Sequence, residues 1–168
     1  MADFKTKYGT AWADLTITLA ALATSATKVA GRGSAAIDNS SDLFLDVLLG
    51  GKIATGTTPT DAKTIEVWVY GENLDDDTYN DVLDGTDSDK TITSAGIKNS
   101  ALKLAAVIST NNTSDRVYYF GPISVARLFG GRMPRKWGVF VTHDTGVNLN
   151  ATGSNHQISY RGVLAQSA

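Results

Sequence analysis

A chain of 168 residues that is 42% hydrophobic and 19% charged suits one domain with a sizeable core, and excludes a chain disordered throughout. Fifteen basic side chains against 17 acidic ones leave a formal net charge of −2, so no overall field draws it to nucleic acid or anionic lipid. The absence of cysteine excludes disulfides and thiolate metal sites.

The opening MADFKTKYGTAW lacks the apolar centre of a signal peptide, and no run approaches the ~20 apolar residues of a membrane-spanning helix. Synthesis in the cytoplasm is expected. Residues 1–14 read as an N-terminal arm before a single β-sandwich domain over residues 15–168. Phe4, Tyr8 and Trp12 recur every four residues, but Gly9 and Thr10 argue against a helix, and the pattern predicts an arm laid over a sheet or a neighbouring subunit.

Leu15, Ile17 and Leu19 alternate with Thr16 and Thr18, which predicts the first strand. Residues 20–36 are rich in small side chains and read as a loop holding one short strand near residues 27–30. Gly31-Arg32-Gly33 lacks the further glycine and the Lys-Ser/Thr pair of a phosphate loop, and reads as a turn. A cluster of Asp38, Asn39, Ser40, Ser41 and Asp42 marks the next turn. Residues 43–55 then predict a strand with Leu43, Leu45, Val47 and Leu49 on one face and a bulge or bend at Gly50-Gly51.

Residues 64–71, TIEVWVYG, are the most strand-like run in the chain. Ile65, Val67 and Val69 fall on one side of an extended ribbon, with Glu66, Trp68 and Tyr70 on the other. This predicts a central strand, its aliphatic face in the core and its aromatic face near the surface or a partner. Eight acids and no base follow between Glu72 and Asp89. From Arg116 onward, the bases Arg116, Arg127, Arg132, Arg135, Lys136 and Arg161 face only Asp144. Such a division would let the acidic loop of one copy meet the basic surface of another. A calcium loop counted from Asp75 fails, because its sixth and twelfth positions are Asn80 and Thr86 in place of Gly and Glu. No cofactor is predicted.

Further strands are expected at residues 102–109, 116–120, 123–129, 137–142 and 156–164, with breaks at Asn111-Asn112, Gly121-Pro122, Gly130-Gly131 and Gly146. At least eight strands without a long amphipathic helix predict an all-β, antiparallel two-sheet sandwich of jelly-roll type. The candidate interface residues are the arm rings Phe4, Tyr8 and Trp12, the acids Asp75, Asp76 and Asp77, and the bases Arg127, Arg132 and Arg135.

Catalytic signals are weak. His143 stands beside Asp144, but neighbours in a strand point to opposite faces, and two histidines cannot make a three-histidine metal site. No G-x-S-x-G elbow is present. No catalytic residue is predicted, and the chain is not expected to be an enzyme. Trp68, Tyr70, Tyr118, Tyr119, Phe140 and Tyr160 are candidates for a sugar-stacking platform, although rings of this size more often anchor cores and interfaces.

Residues 136–163, KWGVFVTHDTGVNLNATGSNHQISYRGV, resemble a segment of small structural proteins of tailed bacteriophages. The likeness lies in the strand WGVFV, the Thr145-Gly146 turn, the Gly153 loop and the closing Tyr160-Arg161-Gly162; TIEVWVYG and the Ala36-Ile37-Asp38-Asn39 turn also look similar. The resemblance implies a non-enzymatic virion subunit, a decoration protein held without covalent bonds on the outside of the capsid. Its partner would be the major capsid protein, and self-association in a closed form such as a trimer would fit; neither nucleic acid nor membrane is implied. The rival reading is a carbohydrate-binding module, or a fibre or tail component used in host attachment.

Overall fold

The computed structural model describes residues 4–74 and 77–167, apart from the side chain of Phe4. Its strands are β1 (Phe4–Tyr8), β2 (Ala13–Asp14), β3 (Ala30–Gly33), β4 (Ile37–Asp38), β5 (Asp46–Ala54), β6 (Lys63–Gly71), β7 (Ser88–Thr91), β8 (Lys103–Thr110), β9 (Val117–Ser124), β10 (Lys136–His143) and β11 (Gln157–Ser167). Two short helices, α1 (Ala95–Ala101) and α2 (Val125–Leu128), interrupt them. One sheet runs β1-β11-β5-β9 with β2 added to β11, and the other runs β7-β3-β10-β6-β8 with β4 added to β10. All pairings are antiparallel. The chain changes sheet between β2 and β3, β4 and β5, β5 and β6, β8 and β9, β9 and β10, and β10 and β11. That winding, with β1 and β2 serving as one edge, is the strand order of a jelly roll.

Alternation along β6 builds the main core. Ile65, Val67 and Val69 pack between the sheets with Val47, Leu49 and Ile53 of β5, Val139 and Val141 of β10, and Ile158 of β11. Contrary to expectation, the other face of β6 is also buried. Trp68 and Tyr70, with Phe140 of β10, are covered by Tyr79, Leu83, Ile92 and Leu102 from the excursion over residues 72–102. The chain supplies its own lid, so the body has three layers. Tyr70 donates its hydroxyl to the Ser34 carbonyl at 2.7 Å and meets Tyr79 edge to face at 5.3 Å. Gly138 makes room for it: a Cβ there would stand 2.4 Å from the Tyr70 ring.

Other local expectations change for identifiable reasons. Leu15 and Leu19 are buried as the alternation predicts, but residues 15–19 form no strand. The Leu15 N–H donates to the Ile158 carbonyl and the Thr16 carbonyl accepts from Ala35, so this segment straddles the gap between the sheets and joins neither. Gly31-Arg32-Gly33 is not a turn but most of β3, and the short strand expected at residues 27–30 begins only at Ala30. Glycine is needed there because a Cβ at Gly31 would lie 2.2 Å from the Val141 carbonyl oxygen. The strand expected from Leu43 begins at Asp46. Asn39 grips both main-chain groups of Phe44 in a loop that leaves Leu43 69% and Leu45 53% exposed. The expected bulge at Gly50-Gly51 is present as a register shift between Leu49 and Gly51. Gly121-Pro122 does not separate two strands, since β9 runs through it to Ser124. The strand expected over residues 123–129 is mostly α2, capped by the Ser124 hydroxyl at the Arg127 N–H.

Leu49→Ala is expected to cost about 2–5 kcal/mol through lost burial and a residual cavity, whereas Leu43→Ala should stay within about 0.5 kcal/mol. Urea unfolding midpoints of the two variants compare them directly; equal losses would contradict this placement of the core.

Candidate interaction surface

With Val47, Leu49 and Ile53 turned inward, Leu48, Gly50 and Lys52 of β5 face outward, and so do their β11 partners Arg161, Ser159 and Gln157. Across β9, Tyr119 pairs with Lys52 on this same face. The arm borders it along the sheet edge, since β1 and β2 both pair with β11. Trp12, between them, lies over Gly50, where a Cβ would stand 3.8 Å from its ring. The result is a groove of about 460 Å³ floored by Gly50 and Gly51 and walled by Trp12, Tyr119 and Pro122. Trp12 is 45% and Tyr119 77% exposed, and Tyr8 extends the row at 57%, its ring 5.7 Å from the Arg161 guanidinium.

The polar side chains of this groove are engaged within the chain. Ser159 Oγ and Gln157 Nε2 donate to Asp14 at 2.6 and 2.8 Å, and these two bonds hold the Asp14 carboxyl below its ordinary range. Lys52 Nζ donates to the Ser154 carbonyl at 2.9 Å. What the face offers outward is aromatic surface.

Of the candidate interface residues, Tyr8 and Trp12 thus come together with Tyr119, a ring the candidate set omitted. The Phe4 side chain, Asp75 and Asp76 lie outside the described residues. Asp77 is paired with Lys136, and Arg135 grips Glu72 with Nε and one terminal nitrogen. Arg127 and Arg132 are exposed on α2 and the loop after it. Arg32 binds Asp87 at 2.6 Å and Asp89 at 3.1 Å, and Lys90 binds Asp84 at 2.6 Å. The acidic excursion therefore meets basic partners in its own chain, which leaves less charge for another copy.

The six-ring sugar platform does not form. Trp68, Tyr70 and Phe140 are buried in the second core, Tyr160 packs edge-on against Trp137 at 5.5 Å, and Tyr118 donates its hydroxyl to Asn111. Tyr119 is the exposed member. The histidines are internal as well. His143 is fully buried, with Nδ1 2.9 Å from Thr145 Oγ1 and Nε2 3.1 Å from the Leu22 carbonyl, while Asp144 accepts from the Thr64 N–H. His156 sits between the Asn150 carbonyl and the Ala54 N–H. Burial pushes both imidazoles below their ordinary pKa, against the pull of those carbonyls. Among the described residues no group of three or more His, Asp or Glu is placed to hold a metal.

On the opposite sheet, Glu66 accepts from Lys98 at 2.7 Å and Trp68 Nε1 at 2.9 Å, and pairs with Lys28 at 3.0 Å. Lys98 is only 4% exposed, with its Nζ 4.6 Å from the Trp68 ring centre. Burial raises the Glu66 carboxyl, but the hydrogen bonds from Lys98, Lys28 and Trp68 outweigh it and hold the group below its ordinary value. This cluster fastens α1 to β6.

Glu66→Gln should cost about 2–3 kcal/mol, short of the ~3–5 kcal/mol for a fully buried pair because Lys28 reaches solvent. Lys98→Met should cost less, since Lys28 still answers Glu66; denaturant titration of both variants tests that order. Acid should act in two stages. Each histidine has a native pKa below 6.5, so the unfolded chain takes up protons that the native state refuses, and stability held above 6.5 declines as pH falls through the native values. Glu66 is likewise depressed, and its contribution, complete above about 4.5, is lost at lower pH. Imidazole resonances with midpoints at or above 6.5 would contradict the first stage.

No protein-family model, curated protein or solved structure matches this chain, so its own residues carry the functional reading.

Proposed function

We propose that the protein is a structural subunit of a bacteriophage virion, a decoration protein bound to the outside of the capsid through non-covalent contacts with the major capsid protein. It is made in the host cytoplasm, associates with its own copies and acts by binding, with no catalytic step. Two things support this reading: the resemblance of residues 136–163 to phage structural proteins and, from the fold, the row Tyr8, Trp12 and Tyr119 on one sheet face. That row is the observation that carries it. Large rings bury 150–250 Å² each when covered, and an exposed apolar patch of this kind marks a contact surface. On a lattice, such contacts repeat, and modest affinities add as avidity.

A second reading has one observation in its favour, since Trp12 and Tyr119 flank a groove that a sugar ring could enter. In that case the chain would be a carbohydrate-binding fibre or tail component. The engagement of Ser159 and Gln157 by Asp14 counts against it, because sugar hydroxyls need free polar partners. Binding on a glycan array that is lost with Trp12→Ala would favour it.

The arm is part of the sheet, with β1 paired along β11, so deleting it would also bare a strand edge. Single ring changes are the cleaner test. Co-sedimentation of the purified protein with undecorated capsids should show binding, and Trp12→Ala should weaken it about tenfold, the effect of removing an anchor worth ~1–2 kcal/mol. Wild-type protein that fails to sediment with capsids, or intact particles imaged without its density on the shell, would refute the proposal.

A further inference from the structure

Among the described residues the two sheets end on four strands, β1, β9, β7 and β8, and these edges are not treated alike. Bare edges invite pairing with other chains, and proteins blunt them with lysine, short length or bulges. β1 (FKTKY) carries two lysines, and β7 (SDKT) is four residues long and charged. β8 begins with Lys103, is irregular between Leu104 and Ala106, and lies against both helices. β9 (VYYFGPIS) has no charged residue, and its first four residues pair regularly with Gly51–Ala54.

The direction of its main-chain groups follows from one bond. Thr55 donates its N–H to the Arg116 carbonyl at 3.0 Å, which makes Arg116 and Thr55 a hydrogen-bonded pair. Bonded and non-bonded pairs alternate in an antiparallel ladder, so Tyr118 with Ile53 is bonded, while Val117 with Ala54 and Tyr119 with Lys52 are not. Ala54 agrees with this phase: its N–H goes to His156 Nδ1 and its carbonyl accepts from Asn150, both away from β9. The N–H and C=O groups of Val117 and Tyr119 therefore point out of the sheet edge.

We infer that this edge pairs with the same edge of a second copy of the chain, antiparallel and centred on Tyr118, so that two five-stranded sheets become one. In this register, Val117 of each copy stands opposite Tyr119 of the other, and all four outward N–H groups find carbonyls. The same register sets each Tyr119 ring beside a valine on the outer face, an aromatic and β-branched pairing of the kind that stabilises sheets. Arg116 falls opposite Phe120 and Asp115 opposite Gly121, so no like charges meet. This self-complementarity selects a second copy over an unrelated strand. The contact is two-fold and uses up the edge, so it closes at a dimer. It rests on β9 alone and does not require the virion reading.

The test is the solution mass of the full-length protein by light scattering from about 1 to 200 μM, the range in which an association of this size becomes concentration-dependent. Wild type should rise to twice 17.8 kDa. Tyr119→Lys, which places like charge on the shared face, and Tyr119→Pro, which removes an outward N–H, should remain at 17.8 kDa with the wild-type circular dichroism spectrum; Leu104→Lys on β8 should still dimerise. Hydrogen exchange on wild type adds a readout that needs no variant, since the Val117 and Tyr119 amides should be protected in concentrated but not dilute protein. A wild-type chain that stays at 17.8 kDa throughout would overturn the inference, as would assembly undiminished by either Tyr119 change or amides equally open at both concentrations.

Discussion

Strand β6 has no wet face, and the rest of the molecule is arranged around that constraint. Its aliphatic side is sealed by the facing sheet, as in any sandwich. Its aromatic side carries Trp68 and Tyr70, too much apolar surface to leave in water at roughly 25 cal/mol per Å². The excursion over residues 72–102 answers that demand with Tyr79, Leu83, Ile92 and Leu102. Glu66, on the same side of β6, cannot be covered as a bare charge, so Lys98 comes down with α1 to meet it while Lys28 closes the other flank. Hydrophobic cover and ionic clasp are two parts of one solution.

The same arrangement accounts for the lopsided charge of the sequence. An acidic stretch laid over an apolar face needs counter-ions at its margins, and Arg32, Lys90, Arg135 and Lys136 supply them from β3, from the excursion itself and from the start of β10 and the residue before it. Individually, exposed pairs of this kind contribute little. Together they bring the lid's charged rim to rest on basic groups, while the far sheet presents the exposed rings of Tyr8, Trp12 and Tyr119.

How much of this could be read beforehand depends on whether the cause was local. The alternation of β-branched Ile65, Val67 and Val69 with Glu66, Trp68 and Tyr70 marked β6 correctly, and two adjacent glycines marked the β5 bulge, because both signals sit in the backbone they describe. The strand identity of Gly31–Gly33 was hidden because the need for glycine there comes from Val141 and Phe140, over a hundred positions away. The lid was hidden because its four apolar plugs follow no period and are scattered among carboxylates. Trp12 could be picked out by size, whereas Tyr119 lies in a run of three rings, and only its register with Lys52 decides which one faces out. The Leu43 and Leu45 expectation failed for the converse reason: perfect alternation was present, but Asn39 captured the backbone first.

The lid also leaves and rejoins the sheet at neighbouring points, because β6 and β8 pair directly, with Val69 opposite Lys103. A segment anchored in this manner behaves as a cassette. The portion before β7 can be lengthened, shortened or exchanged at small entropic cost, provided its plugs and the pairing of β7 with β3 are kept. Diversity can therefore accumulate on that exterior while the opposite side holds its shape.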